Sequence, residues 1–250
     1  MKIRTSMIAL SLTALLSGCQ NMNADGLMQS GAQAFQAATL SDADVKGLSE
    51  KSCVEMDQKA QVASADSAYG KRLAKISTAL GDNINGTPAN YKVYITKDVN
   101  AWAMANGCIR VYSGLMDMMT DNEVEAVLGH EMGHVALGHT RKAMQVAYGT
   151  TALRTAAASA GGITGQLSQS QLADIGEKLV NAQFSQKQES EADDYSFDLL
   201  KKQGIDPKGL VTSFEKLATM DAGRTSSMFD DHPSSQARAD HIRQRIASGQ

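Results

Sequence analysis

One pentapeptide constrains this chain more than any other feature. His130-Glu131-Met132-Gly133-His134 places two imidazoles four residues apart with a carboxylate between them. Four residues is close to one helical turn, so on a helix both rings leave the same face and can share one metal ion. Glu131 then stands beside that ion rather than on it, where it can accept a proton from a water. The neighbouring residues predict the helix. Thr120 and Glu123 have capping-box spacing, and Val124, Val127 and Leu128 supply apolar positions. Gly129 and Gly133 weaken a helix, so their presence predicts close approach of another backbone or a ligand. A surface helix with scattered polar residues is the alternative, and the two glycines argue against it.

Two imidazoles leave a zinc site incomplete, because a hydrolytic zinc takes three protein ligands. A glycine at 137 with a histidine at 140 would mark the metzincin class; Leu137 and Thr140 exclude it. The better source is Glu189-Ser190-Glu191-Ala192-Asp193. Glu189 and Asp193 share one helical face, whereas Glu191 points elsewhere. Glu189 can bind zinc while Asp193 accepts the second ring N–H of a liganding histidine. A solvated acidic face has the same composition, and only the company of the histidine helix favours ligation. His139 and His241 have no comparable neighbours in sequence and are read as structural.

The first residues set the compartment. Lys2 and Arg4 precede a short apolar run, Met7 to Leu16, which is too short to span a bilayer. Leu16-Ser17-Gly18-Cys19 follows and resembles a bacterial lipobox. The expectation is a lipoprotein signal peptide over 1–18, a lipidated Cys19 and a tether over 19–40 rich in Asn, Gln, Ala and Gly. Several acyl chains make a durable membrane anchor. Gln20 after the lipidated cysteine, by resemblance to lipoprotein sorting, favours the periplasmic face of the outer membrane. Loss of Lys2 and Arg4 takes the formal charge from −3 to −5. No basic excess is then available for phosphate backbones, so no nucleic-acid partner is expected.

One domain is expected over 41–250. A helix starts at Ser41, with Asp44 three residues on; a second runs from about Asp66 to Leu80, with Gly81 as its cap. Tyr91, Val93 and Ile95 alternate as a strand, and Val99–Met104 and Cys108–Tyr112 flank Ala105-Asn106-Gly107. Beyond Thr120 the pattern is mostly helical, including a helix opened by Asp206-Pro207 with Leu210, Phe214 and Leu217 on its buried stripe. Residues 144–188 are rich in small and polar types and break at Gly161-Gly162, which suits a mobile cover near the cleft; two ordinary helices with a loop fit equally well.

With these residues in place, the chain resembles metallopeptidase family 48, the HtpX-like and CAAX-prenyl-endopeptidase group of gluzincins. The likeness rests on Asn100-Ala101-Trp102-Ala103, Gly114-Leu115, the 130–134 motif, Glu189 through Asp193, and His232-Pro233 with Arg238. It covers about residues 50–247. The resemblance implies an α+β, mostly helical, zincin-like fold with a small β-sheet next to the histidine helix. It implies one Zn2+ per chain on His130, His134 and Glu189, and Glu131 as general base in peptide-bond hydrolysis. His232 and Arg238 become donors to the tetrahedral oxyanion. Two other readings of His232 stay open: a cap before Pro233, or a fourth zinc ligand that displaces the water and holds the enzyme latent. Asn100, Ala101, Trp102 and Ala103 would pair with an extended substrate, or form a plain core strand. Many members carry Pro-Gly-Gly where this chain has Ala105-Asn106-Gly107, which bears on loop shape rather than on zinc chemistry.

Expected substrates are periplasmic or outer-membrane proteins, with other envelope proteases or assembly factors as partners. An assembly or chaperone-like lipoprotein with a latent zinc site is the alternative, and the intact Glu131 disfavours it. Lipidation of Cys19 leaves Cys53 and Cys108, an even pair in an oxidising periplasm, which predicts one disulfide. Its loop of about 55 residues would constrain the unfolded chain by roughly 4 kcal/mol. Two separate buried thiols, or a thiolate zinc ligand, are the alternatives.

Overall fold

A computed structural model describes residues 40–158, 167–220, 232 and 236–249. The expected signal peptide, Cys19 and the tether up to residue 39 lie outside the described residues, as does Gly161-Gly162. Two helices, α1 (Asp42–Lys59) and α2 (Ala68–Leu80), precede the strands β1 (Asn83–Ile84), β2 (Thr87–Pro88), β3 (Asn90–Tyr94), β4 (Ala101–Ala103) and β5 (Cys108–Tyr112). Helices follow: α3 (Ser113–Met118), α4 (Asp121–Ala136), α5 (His139–Ala158), α6 (Gln169–Val180), α7 (Gln186–Lys202), α8 (Lys208–Met220) and α9 (Gln236–Ser248). Among the described residues no helix is long and apolar enough to cross a membrane.

Local chemistry starts these helices where the sequence places them. Ser41 caps α1 and Asp44 bonds back to the Ser41 N–H; Thr120 and Glu123 do the same for α4. Ser168 with Gln171 and Ser185 with Gln188 form two further boxes, at the starts of α6 and α7. α2 begins two residues later than expected because Ser67, not Asp66, supplies the capping oxygen, and it stops at Gly81. The Lys208 N–H donates to Asp206 Oδ1 (3.0 Å) at the start of α8.

The main sheet has the order β3-β5-β4, with β3 parallel to β5 and β4 antiparallel to it. Strand alternation sends its side chains to two cores. Val93, Ala101, Ala103, Ile109 and Val111 join α2, α4, α7, α8 and α9 in the first. Tyr94, Trp102, Met104 and Cys108 join α1, α5 and α6 in the second, through Val45, Cys53, Met144, Ala147, Ile175 and Leu179. Trp102, one possible substrate contact, is therefore a core residue, packed edge-on against Tyr94 at 5.8 Å between ring centres. Much of the expected cover over 144–188 is α5 and α6, sealing this second face.

α1 is fastened to the second face by two devices. The expected Cys53–Cys108 disulfide joins it to β5, with Cα atoms 6.6 Å apart. One turn further on, Asp57 takes both Arg110 Nε (2.8 Å) and Nη2 (2.9 Å), Lys92 Nζ (2.7 Å) and the Tyr94 hydroxyl (2.7 Å). Burial pushes the Asp57 carboxyl up, but these donors outweigh it and hold it at about 2.

The close approach predicted at Gly129 and Gly133 is the crossing of α4 and α7. A Cβ on Gly133 would lie 2.9 Å from the Ala192 carbonyl oxygen and 3.0 Å from its Cα. One on Gly129 would lie 2.5 Å from Ser196 Oγ, which instead donates to the Ala126 carbonyl (2.9 Å). The expected one-sided apolar stripe on α4 understates its burial. Every residue from Glu123 to His134 is buried, because β4, α2, α7 and α8 surround it.

Candidate active site

α4 projects His130 and His134 from one face, and α7, held against it by the glycine crossing, brings Glu189 opposite them. The two imidazole Nε2 atoms are 3.0 Å apart. Glu189 Oε1 lies 3.3 Å from His134 Nε2, and Oε2 lies 3.5 Å from His130 Nε2. His232 joins the group: its Nδ1 is 3.0 Å from Glu189 Oε1 and 3.3 Å from His130 Nε2. All four residues are buried, and their ligand atoms lie within 4.8 Å of one another.

Those separations suit a small divalent ion. Four donors at 2.0–2.2 Å in a tetrahedron stand roughly 3.3–3.6 Å apart, and imidazole with carboxylate is a common zinc set. Glu131 is one step away, 2% exposed, with Oε1 3.6 Å from His232 Nε2. Burial pushes the Glu131 carboxyl up, against the pull of His232 and His130. For Glu189, burial acts in the same sense, but His130, His134 and His232 outweigh it and keep the group ionised.

Asp193 stands one turn along α7 from Glu189, as the face argument requires. Its Oδ1 accepts from His130 Nδ1 (2.8 Å), which turns the Nε2 lone pair of His130 toward the donor cluster. Arg238, from α9, donates through Nε to Asp193 Oδ2 (2.7 Å) and pairs through Nη1 with Glu189 Oε2 (2.7 Å). Burial raises the Asp193 carboxyl, but Arg238 overcomes this and holds it low. The guanidinium also lies on the Phe214 ring at 4.4 Å. Glu191 points away from the cluster, its side chain 42% exposed, as the helical face predicts.

β4 runs along α4 as an edge of the sheet among the described residues. Asn100 accepts from Tyr112 N–H, and Met104 N–H donates to the Cys108 carbonyl, both at 2.9 Å. Antiparallel alternation therefore turns the backbone of Ala101 and Ala103 away from β5, toward the side of β4 that pairs with no strand among the described residues. The buried Asn100 occupies one of those groups, since its Oδ1 accepts the Ala101 N–H (2.8 Å).

Two residues at the site were not expected there. Phe184 covers His134, with ring centres 3.9 Å apart. No sequence signal marks it. His139, read as structural, approaches His134 with the two Nδ1 atoms 3.1 Å apart. Phe184 and His139 also line a cavity of about 450 Å³ with Ala143, Val146 and Ala147. His241 pairs with Asp194 (2.7 Å), away from the donor cluster.

Two helix-borne imidazoles and an acid from a second helix around one point, with a glutamate beside them, define a metallopeptidase centre. The sequence profile of Peptidase family M48 matches residues 67–246. The chain belongs to that family, and it is a metalloendopeptidase. It is 69% identical over 248 residues to the Metalloprotease LoiP of Escherichia coli (strain K12), spanning 99% of this chain and 98% of that one. It is 63% identical over 239 residues to the Metalloprotease YcaL of the same organism, 94% of each. Over 206 residues it is 29% identical to the Beta-barrel assembly-enhancing protease of Yersinia pestis, 73% of this chain and 41% of that protein.

Proposed function

We propose that this metallopeptidase uses zinc, acts in the bacterial envelope and hydrolyses peptide bonds in periplasmic or outer-membrane proteins as part of quality control. Lipidation at Cys19 would hold it to the periplasmic face of the outer membrane. The observation that carries the catalytic reading is the convergence of His130, His134 and Glu189 with Glu131 beside them. The N-terminal lipobox pattern supports the location, and a Cys53–Cys108 disulfide suits an oxidising compartment. A relative whose name ties it to β-barrel assembly supports envelope proteins as substrates, with assembly factors or other proteases as partners.

His130, His134 and Glu189 would hold the ion. Bound zinc supplies Lewis acidity, lowering the pKa of a water and polarising the scissile carbonyl. Glu131, buried beside the cluster, would accept the water proton and return it to the leaving amine. Asp193 fixes the His130 tautomer. Arg238 holds Asp193 and Glu189 in place; with its guanidinium engaged there, we assign it to positioning those carboxylates rather than to the oxyanion. The outward backbone groups of β4 that Asn100 leaves free, the Ala101 carbonyl and the Ala103 N–H and carbonyl, would bond an extended substrate beside the centre.

Glu131→Gln should lower peptide turnover by about 10²–10⁴-fold while the protein keeps its zinc. Unchanged turnover would remove Glu131 from the chemistry and favour the scaffold reading. One observation supports a latent form: His232 Nδ1 sits among the donor atoms, where it could hold the ion as a fourth ligand in place of a water. His232→Ala should then raise activity; a fall would instead assign His232 to the oxyanion.

A further inference from the structure

His130 and His134 each need one ring nitrogen held by a partner so that the other presents a bare lone pair to the metal. For His130 that partner is Asp193. For His134 the partner at Nδ1 among the described residues is not a carboxylate but Nδ1 of His139, 3.1 Å away. Both rings are buried, His134 completely and His139 to 7% exposure. A hydrogen bond between two Nδ1 atoms needs one proton, and a His134 that offers Nε2 to the ion carries its proton on Nδ1. His139 must then accept at Nδ1 and carry its own proton on Nε2. That Nε2 faces Glu191 Oε2 at 3.4 Å, so a carboxylate stabilises the required tautomer.

The local fold builds this contact. α4 ends at Leu137, Gly138 turns at φ +75°, and α5 begins at His139, so the chain doubles back and returns His139 to the side of His134. Phe184 lies over the His134 ring and 6.3 Å from His139, closing the pair from one side.

We propose that His139, backed by Glu191, is a positioning residue that fixes the metal-binding tautomer and ring orientation of His134. The inference rests on the ligand assignment above. It also gives Glu191 a place: not a ligand, but the end of a Glu191–His139–His134 relay that parallels Arg238–Asp193–His130.

Zinc affinity of the full-length protein, measured by chelator competition, tests it. His139→Leu removes the acceptor and should weaken zinc binding by about 10–100-fold. His139→Asn places an amide oxygen near the lost Nδ1 and should restore affinity to within about threefold, whereas His139→Gln, whose amide falls nearer Nε2, should not. His134→Ala serves as the reference for loss of a ligand. Equal affinities for the asparagine and glutamine variants would show that the site needs bulk rather than an acceptor and would overturn the proposal. So would an unchanged affinity in His139→Leu. Should that variant fail to fold, the asparagine–glutamine contrast still decides. A wild type that binds no zinc would overturn the ligand assignment along with this one, which separates the two failures.

Discussion

Arg110 and Arg238 are both buried, and each grips one aspartate with Nε and Nη2. Arg110 leaves β5 to meet Asp57 on α1, beside the Cys53–Cys108 bond. Arg238 leaves α9 to meet Asp193 on α7, and its other nitrogen reaches Glu189. The first pair ends in covalent structure and tyrosine and lysine partners; the second ends in two groups of the donor cluster. The same side-chain geometry therefore fastens a helix in one place and aims the candidate metal-binding side chains in the other. What separates them is the third party to each pair, not the strength of the pair itself.

That contrast can be broken most strongly at the aspartates. Asp57→Ala strands a guanidinium that is 1% exposed, and should lower unfolding free energy by about 3–5 kcal/mol with zinc affinity unchanged. Asp193→Ala should destabilise comparably and also weaken zinc binding by about 10–100-fold. Zinc loss in Asp57→Ala would show that the two regions are not separable. The disulfide comes next. Cys53→Ser with Cys108→Ser should cost about 4 kcal/mol in denaturant melts, since the loop spans 55 residues, and elemental analysis should still find the metal. Gly133→Ala should cost about 3 kcal/mol, because backbone atoms of Ala192 block the methyl, and it should carry a loss of zinc. Gly129→Ala meets a side-chain hydroxyl and should cost less.

The smallest effect is one of pH. The folded carboxyl of Asp57 sits at about 2, below its ordinary 3.8. A depressed pKa contributes fully above about pH 4 and is lost as pH falls toward 2. The stability gap between wild type and Asp57→Asn in metal-free protein should therefore shrink by about 2 kcal/mol between pH 5 and pH 2. A gap independent of pH would mean that Asp57 binds its donors no better charged than neutral.

Features written in short spacings are legible in the amino-acid sequence. The capping boxes at Ser41 and Thr120 each join residues three apart, and the paired site positions 130 with 134 and 189 with 193 stand four apart on their own helices. An expected oxidising compartment and an even count pair Cys53 with Cys108. The order β3-β5-β4 is not legible, because strand neighbours are chosen by long-range packing and β4 slips to the edge behind its own hairpin partner. Nor is the completely buried Arg110, whose carboxylate partner lies 53 residues earlier. His139 escapes a reading of the sequence for a sharper reason. It stands five residues beyond His134, across a turn at Gly138, so helical periodicity cannot relate the two rings.

The glycine crossing of α4 and α7 sets a tolerance for the whole centre. Zinc bonds hold to about ±0.2 Å, while one carbon–carbon bond is about 1.5 Å. A single methyl wedged between Gly133 and Ala192 is thus several times thicker than the error the ligands can absorb, and Glu189 is carried on the same helix. Substituting alanine, which in most helices adds about 1 kcal/mol, would here pry apart the two helices that carry the candidate metal site. The region closest to the chemistry is for that reason closed to the simplest route of thermal hardening, and engineering for heat resistance belongs on the α1 side of the sheet.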